Sequence, residues 1–223
     1  MNEKKVQKTV DRNEVLKFLA DELKISLIRD YCPNGMQVEG QPDISSIVSG
    51  VTASLALIEA AIDLHADTLL VHHGYFWRNE NECIVGPKQK RIRLLLQNNI
   101  NLIAYHLPLD CHPELGNNVQ LAKVLDFRPT GRFGENDLGW LGQMMNPGIT
   151  TVGELADMIE KRLNRKPLLV GNPQQKLETI GWCTGAAQDL LPDAAMNNAS
   201  VFLSGEVSER TVHEAREYGI AYL

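Results

Sequence analysis

The sequence has little that would mark a nucleic-acid-binding or membrane-embedded protein. Its 223 residues contain 22 Lys and Arg against 28 Asp and Glu, which gives a formal net charge of −6 without any basic stripe. Because phosphate backbones are bound by clustered cations, we predict only weak and unspecific binding to duplex DNA. Apolar runs stay well below the roughly 20 residues that a bilayer-spanning helix needs, so no membrane partner is expected.

Cysteine is also scarce, and its pattern argues against a disulfide framework or a C-x-x-C redox motif. The four cysteines, Cys32, Cys83, Cys111 and Cys183, are irregularly spaced. This spacing predicts reduced thiols in a reducing compartment. The N-terminal sequence MNEKKVQKTVDRNEV is polar and lacks the apolar core of a signal peptide. Both observations predict a cytoplasmic protein.

Apolar residues make up 43% of the chain, enough for one large domain or two small ones. Hydrophobic periodicity predicts a helix over 13–23 and another over 54–65, with strands at 44–51, 67–71 and 101–105. A further helix is predicted between the last two strands. This alternation of strands and helices predicts an α/β fold with a parallel sheet. We expect three-layer α/β/α sheets with an internal structural repeat.

The repeat is visible when two stretches are laid side by side. IVSGVTASLALIEAAIDLHADTLLVHHG resembles IGWCTGAAQDLLPDAAMNNASVFLSGEV in its order of strand, turn, helix, strand and polar pair. A coincidental α/β rhythm is the alternative. Between the two stretches, 128–147 is rich in Gly, Pro and Asn, which suggests a linker or an insert. We therefore predict a first α/β half at 1–127, a linker with an inserted helix at 128–175, and an incomplete second half at 176–223.

Polar side chains follow two of the predicted strands, where ligands gather in open parallel sheets. The run LLVHHGYFW places His72 and His73 at one strand end, and Gly74 is expected to let the backbone turn so that both imidazoles converge. The run HLPLDCHPE places His106 and Asp110 at the next. Imidazole and carboxylate are ligands for zinc, iron or manganese. Spacing alone leaves open an acid–base histidine site without metal.

Two further histidines have simpler interpretations. His112 precedes Pro113 and could cap a turn. His213 lies in the charged helical pattern SERTVHEAREYG and is predicted to be solvated.

Several motifs together resemble the Nif-three-like family, whose members are described as type-two GTP cyclohydrolase I homologues. They are DYCPNGMQVEG, VTAS, VHHGYFW, YHLPLDCHPELGNN and SGEVSE, and they extend over almost the whole chain. The resemblance implies an α/β fold with an internal repeat, a toroidal homohexamer and a dinuclear metal centre. It places His72, His73 and Asp110 among the metal ligands, and gives His106 an acid–base role beside the metals.

The resemblance also implies a function. It points to a metal-dependent hydrolase with two divalent cations per subunit, in which activated water attacks the purine ring of a nucleotide such as GTP. The alternative is a non-catalytic toroidal scaffold, or a protein that stores or delivers metal. The family carries a further His, followed four residues later by Glu, that the sequence through Leu223 does not contain. We therefore expect the intact gene product to continue about 20–30 residues beyond Leu223 and to include both.

Overall fold

The structure is a computed structural model that describes residues 8–223, so the polar stretch 1–7 lies outside the described residues. The chain divides into two compact units, one ending at Leu109 and the other running from Asp110 to Leu223. Both units mix helices with a sheet, which confirms the α/β class. Within residues 8–223, no helix combines the length and the apolar character needed to cross a membrane.

The first unit is built on a four-stranded sheet. Its elements are β1 (Val10–Asp11), α1 (Arg12–Leu23), β2 (Gly35–Val38), β3 (Asp43–Ile44), β4 (Ile47–Thr52), α2 (Leu55–Asp63), β5 (Thr68–His73), α3 (Gly86–Gln97) and β6 (Asn101–Ala104). The sheet order is β2-β6-β5-β4. Strands β4, β5 and β6 are parallel, as predicted, whereas β2 pairs antiparallel with β6. Strands β1 and β3 form a separate antiparallel pair.

Helices cover both faces of this sheet because its central strands are apolar on both sides. Leu69 and Leu102 belong to the same core cluster as Ile58 of α2 and Leu95 of α3. Ile103, the residue after Leu102, points to the other face of the sheet, into a cluster with residues of α1. Successive strand residues alternate between faces, so β6 supplies both clusters. The first unit therefore has the predicted three layers.

The second unit contains a five-stranded sheet of order β11-β10-β9-β8-β7. A short helix, α4 (Leu107–Cys111), straddles the division between the units. It is followed by α5 (Asn117–Val124), β7 (Phe127–Phe133), β8 (Gly139–Met144), α6 (Val152–Leu163), β9 (Ile180–Cys183), α7 (Leu191–Met196), β10 (Val201–Ser204), α8 (Glu209–Tyr218) and β11 (Ala221–Tyr222). Strands β9, β10 and β11 are parallel, and β7 and β8 are antiparallel to their neighbours.

This sheet is also covered on both faces. Trp182 and Val201 pack in one cluster with Leu155 of α6. Phe202 packs in another cluster with Leu191 of α7, on the opposite face. A capping box at Thr151 opens α6, because the Thr151 hydroxyl accepts from the Glu154 N–H while the Glu154 carboxylate accepts from the Thr151 N–H.

The internal repeat is present in the topology of the two units. In the first, β5 lies between β4 and β6, and α2 and α3 make the crossovers. In the second, β10 lies between β9 and β11, and α7 and α8 make them. Thr68 is the first residue of β5 that pairs with β4, and Val201 is the first residue of β10 that pairs with β9. The two residues therefore occupy corresponding positions in the repeat. Gly205 then stands at the position of His72.

The Gly, Pro and Asn content of 128–147 suggested a linker or an insert. Most of this stretch instead lies in β7 and β8, which pair antiparallel from Phe127 to Met144. The glycines are part of the reason that strands form here. A Cβ at Gly142 would lie 2.6 Å from the Arg128 carbonyl oxygen and 2.9 Å from the Trp182 ring, so only glycine allows this close approach. The predicted domain boundaries at 127 and 175 stay predictions.

Candidate metal and acid–base site

His72 and His73 are the last two residues of β5, and their ring centroids lie 4.5 Å apart. A different neighbouring strand anchors each ring. Nδ1 of His72 lies 2.9 Å from the carbonyl oxygen of Tyr105, directly after β6. Nδ1 of His73 lies 3.3 Å from the hydroxyl of Thr52, which ends β4. The two imidazoles therefore converge within the strand itself.

Gly74 is required for a different reason from the one expected. Its φ is not in the left-handed region. A Cβ at this position would instead lie 2.0 Å from Oε1 of Gln37 and 2.8 Å from Cβ of Ala104. The same Gln37 oxygen accepts a 2.6 Å hydrogen bond from the N–H of Tyr75. Glycine therefore allows Gln37 to hold the backbone that leaves the histidine pair.

His106 follows β6 and completes a group of three imidazoles. Its ring centroid lies 5.1 Å from that of His72 and 5.6 Å from that of His73. One ring nitrogen from each of the three histidines lies within 4.8 Å of the others. The parallel pairing of β5 and β6 causes this, because it brings the two strand ends to one edge of the sheet. Burial and the positive charges of His72 and His106 lower the pKa of His73.

Asp30 is the functional neighbour that the sequence analysis missed. Its side chain is 3% exposed, and Oδ1 lies 3.0 Å from Nδ1 of His106. Burial alone would raise the pKa of Asp30. Hydrogen bonds from His106, Asn34 and the Leu107 N–H, with the positive charge of His106, outweigh it and lower the pKa to about 2. The residue is therefore a buried carboxylate anion. It stands in DYCPNGMQVEG, a motif that carried part of the family resemblance but no predicted role for Asp30.

Aromatic side chains border the histidine group. The Trp77 ring meets His106 edge to face with centroids 4.9 Å apart, and the Tyr31 ring does so at 5.1 Å. Phe76, beside Trp77, has a φ of 64°, a conformation that bulky residues rarely adopt. The ammonium of Lys88 lies 4.9 Å from the centre of the Phe76 ring. Trp77, which also lies 5.8 Å from the His73 ring, and Tyr31 therefore cover part of the histidine group.

Hydrogen bonds at Nδ1 leave Nε2 of His72 and of His106 available to bind a cation. A carbonyl oxygen cannot donate, so Nδ1 of His72 carries the proton, and the lone pair is on Nε2 when the ring is neutral. The same holds for His106 against the ionised Asp30. Histidine ligands in metal sites are oriented in this way. The hydroxyl of Thr52 can donate or accept, so it leaves the tautomer of His73 open.

A second set of donors, Asp30, Cys32 and His106, is also close enough to surround an ion. Its chemistry fits a cation poorly. Burial and the negative charge of Asp30 raise the pKa of Cys32 to about 12, so a cation would have to displace a tightly held proton to bind its sulfur. The Asp30 oxygens already accept from neighbouring groups. The three histidines are the better donor set.

The remaining predicted residues lie in the second unit. Asp110 is buried and accepts a 2.7 Å hydrogen bond from the side chain of Asn117. Its metal-binding role stays a prediction. His112 caps a turn, because its Nδ1 accepts from the N–H groups of Glu114 and Leu115. His213 is exposed on α8, as expected, with its ring 3.2 Å from Glu209.

Comparisons with known proteins agree with the motifs. The family model described as Duf34/NIF3 (NGG1p interacting factor 3) matches residues 10–223. The GTP cyclohydrolase 1 type 2 homolog of Vibrio cholerae is 52% identical over 209 residues, 92% of this chain and 82% of that protein. The Pseudomonas aeruginosa protein of the same name is 50% identical over 90% of this chain and 80% of its own.

Solved structures show the same fold. The structure of protein ybgI is 43% identical with a TM-score of 0.89, and the alignment covers 96% of this chain and 85% of that one. TTHA1606 from Thermus thermophilus is 31% identical with a TM-score of 0.80, over the same shares of the two chains. Family model, relatives and structures all cover most of the chain. The chain therefore belongs to the Duf34/NIF3 family.

Proposed function

We propose that His72, His73 and His106 hold a divalent cation, with Asp110 as a further ligand. The observation that carries this proposal is the convergence of three imidazole nitrogens within 4.8 Å of one another. Imidazole and carboxylate donors suit zinc, iron or manganese. The family resemblance adds the expectation of two cations in each complete subunit.

When bound, such a cation would polarise a substrate bond and lower the pKa of water towards about 7. The protein would contribute the rest. Nε2 of His72 and His106 is oriented by bonds to the Nδ1 atoms, and Trp77 limits access of bulk water on one side. If the other donors hold the cation without His106, the lone pair on its Nε2 is free to accept a proton from water, which is the acid–base role that the resemblance implies.

The names of the relatives support a hydrolase acting on GTP. We propose that it opens the five-membered ring of the purine at C8. The test is formate release from GTP by protein loaded in turn with Zn²⁺, Mn²⁺ and Fe²⁺. We expect turnover that His72→Ala abolishes and His213→Ala, a change at an exposed histidine, leaves intact. Metal uptake without turnover of GTP would contradict the hydrolase and favour the metal-storage or scaffold alternative.

The role of His106 can be separated in the same experiment. We expect His106→Gln to lose the metal, as a variant of a ligand should. If the variant retains the metal but loses turnover, the ligand role is wrong and the residue transfers protons, as the resemblance suggests. We also propose that the protein is a cytoplasmic homohexamer. Light scattering after gel filtration would measure the mass of the oligomer directly. A monomer at micromolar concentration would contradict this part of the proposal.

A further inference from the structure

We propose that Asp30 is a positioning residue that fixes the tautomer and the direction of His106. The carboxylate is 3% exposed, and both of its oxygens are used. Oδ1 lies 3.0 Å from Nδ1 of His106 and 2.7 Å from the N–H of Tyr31. Oδ2 accepts from the Asn34 amide and from the N–H of Leu107, both at 2.9 Å. These bonds hold the carboxylate in one orientation.

The backbone of His106 is held by the same loop. Its N–H donates a 2.8 Å hydrogen bond to Oδ1 of Asn34, while Nδ2 of Asn34 donates to Asp30. Asp30, Asn34 and His106 thus form a closed ring of hydrogen bonds across 76 residues of sequence between Asp30 and His106. Side chain and backbone of His106 are oriented together, so the ring has little freedom to turn.

The consequence is chemical as well as geometric. An ionised carboxylate can only accept hydrogen bonds, so Nδ1 of His106 must donate. In the neutral ring the lone pair is then on Nε2, the nitrogen that a cation or a proton needs. Asp30 would therefore act through His106 and make no contact with substrate.

Asp30→Asn tests this assignment because an amide has one accepting and one donating end. Four N–H donors, from His106, Tyr31, Asn34 and Leu107, surround the carboxylate. If the amide oxygen serves Leu107, the amide NH₂ faces Nδ1 of His106, which must then accept. The proton moves to Nε2, and the ring presents N–H where a lone pair is needed. The opposite amide orientation would keep the His106 tautomer but set the NH₂ against two donors, those of Leu107 and Asn34. The first orientation sets it against one fixed donor, the N–H of Tyr31, so we expect the first.

The first experiment is ¹⁵N NMR of the metal-free full chain with labelled histidine, at about pH 8.5, well above the ordinary imidazole pKa of about 6.5. The His106 signals are assigned by their loss in His106→Gln. We expect Nδ1–H in the native protein and a shift towards Nε2–H in Asp30→Asn. Glu39→Gln, a change at an exposed carboxylate paired with Arg12, is the control and should change nothing. Nε2–H in the native protein would overturn the proposal even if Asp30→Asn fails to fold, and so would an unchanged tautomer in a folded Asp30→Asn.

The second experiment, which rests on the proposed metal site, is Zn²⁺ titration of the same proteins. Loss of an orienting partner of a ligating histidine typically costs about 10–100-fold in metal affinity, and we expect that loss in Asp30→Asn but not in Glu39→Gln. Native Zn²⁺ affinity in Asp30→Asn would contradict the positioning role. If the native protein shows the Nδ1–H tautomer but binds no Zn²⁺, the proposed metal function fails while the assignment of Asp30 stands.

Discussion

Asn118 offers a sharp test of how the second unit is held together near Asp110. The residue is fully buried at the start of α5, and its side chain joins three separate segments. Oδ1 accepts a 2.7 Å hydrogen bond from the N–H of Thr184. Nδ2 donates at 3.4 Å to the carbonyl oxygens of Asp110 and Leu138. We predict that Asn118→Ala strongly destabilises the protein.

The magnitude follows from the groups that would be left behind. A buried N–H without an acceptor costs about 1–3 kcal/mol, and the bond to Thr184 is the shortest of the three. The two 3.4 Å contacts are weaker, and the space vacated by the amide adds a packing loss. We therefore expect the free energy of unfolding to fall by about 2–4 kcal/mol. Asn118→Asp keeps the acceptor for Thr184 but brings a second oxygen against the two carbonyl oxygens, so it should cost at least as much.

Urea unfolding followed by tryptophan fluorescence measures this loss, because Trp140 and Trp182 are both buried in the same unit. Asn197→Ala is the matched control. Its amide also donates to a carbonyl oxygen, that of Asp193 at 2.8 Å, but on the exposed end of α7 in the same unit. We expect a change within about 0.5 kcal/mol there. Equal effects of Asn118→Ala and Asn197→Ala, with unchanged m-values, would refute the reasoning.

Three further predictions concern single side chains. Gly74→Ala should lower the free energy of unfolding by about 1–3 kcal/mol, because its Cβ would lie 2.8 Å from Cβ of Ala104 and would displace Gln37 from its hydrogen bond to Tyr75. Gly131→Ala, whose nearest neighbour is 3.9 Å away, should cost little in urea unfolding; equal costs would contradict the overlap. Mass spectrometry should show iodoacetamide modifying exposed Cys83 well before Cys32, whose pKa is raised to about 12; equal rates near neutral pH would count against that pKa. Hydrogen bonds from backbone N–H groups lower the pKa of Glu154 below its ordinary 4.5. The ionised carboxylate therefore stabilises the fold above about pH 4.5, and this stabilisation is lost as the pH falls through the lowered pKa. The melting temperature of Glu154→Gln should therefore lie below that of the native protein at about pH 7 and approach it at about pH 3; a pH-independent difference would contradict this.

The sequence predicted the elements whose side chains repeat in a regular pattern. The predicted helix at 13–23 is α1, and the predicted strand at 67–71 is β5, extended to His73. The predicted helix at 54–65 is α2, with Ser54 as its N-cap. In each case hydrophobic period and local capping agree with the tertiary structure. The predicted strand at 44–51 is interrupted, since β3 ends at Ile44 and β4 begins at Ile47.

Other elements depend on pairing across long distances, which local patterns do not reveal. Strand β2 begins at Gly35, directly after the turn-forming residues Pro33 and Asn34, and no strand was predicted there. It becomes a strand because β6, far later in the chain, offers it an antiparallel edge. Strands β7 and β8 are consecutive and pair with each other, so there the Gly, Pro and Asn content, and not sequence distance, concealed the strands.

The site shows the same contrast. Two adjacent histidines at a strand end were visible in the sequence, as was His106 at the next strand end. Asp30 was not, because nothing local to DYCPNG shows that its carboxylate will meet an imidazole 76 residues away. The signal available was the motif itself, in which an aspartate and an asparagine flank a proline. Hydrogen-bonding side chains in such a loop are candidates for orienting a distant residue.

Zinc content after equilibrium dialysis tests the central claim, that the three histidines bind a divalent cation. The native protein, the double variant His72→Ala/His106→Ala and the control His213→Ala are dialysed against the same Zn²⁺ buffer. His213 is exposed and lies on α8 of the second unit, so the control changes a histidine outside the group. We predict that the native protein and the control retain zinc and that the double variant loses it. Equal zinc content in all three proteins would contradict the claim.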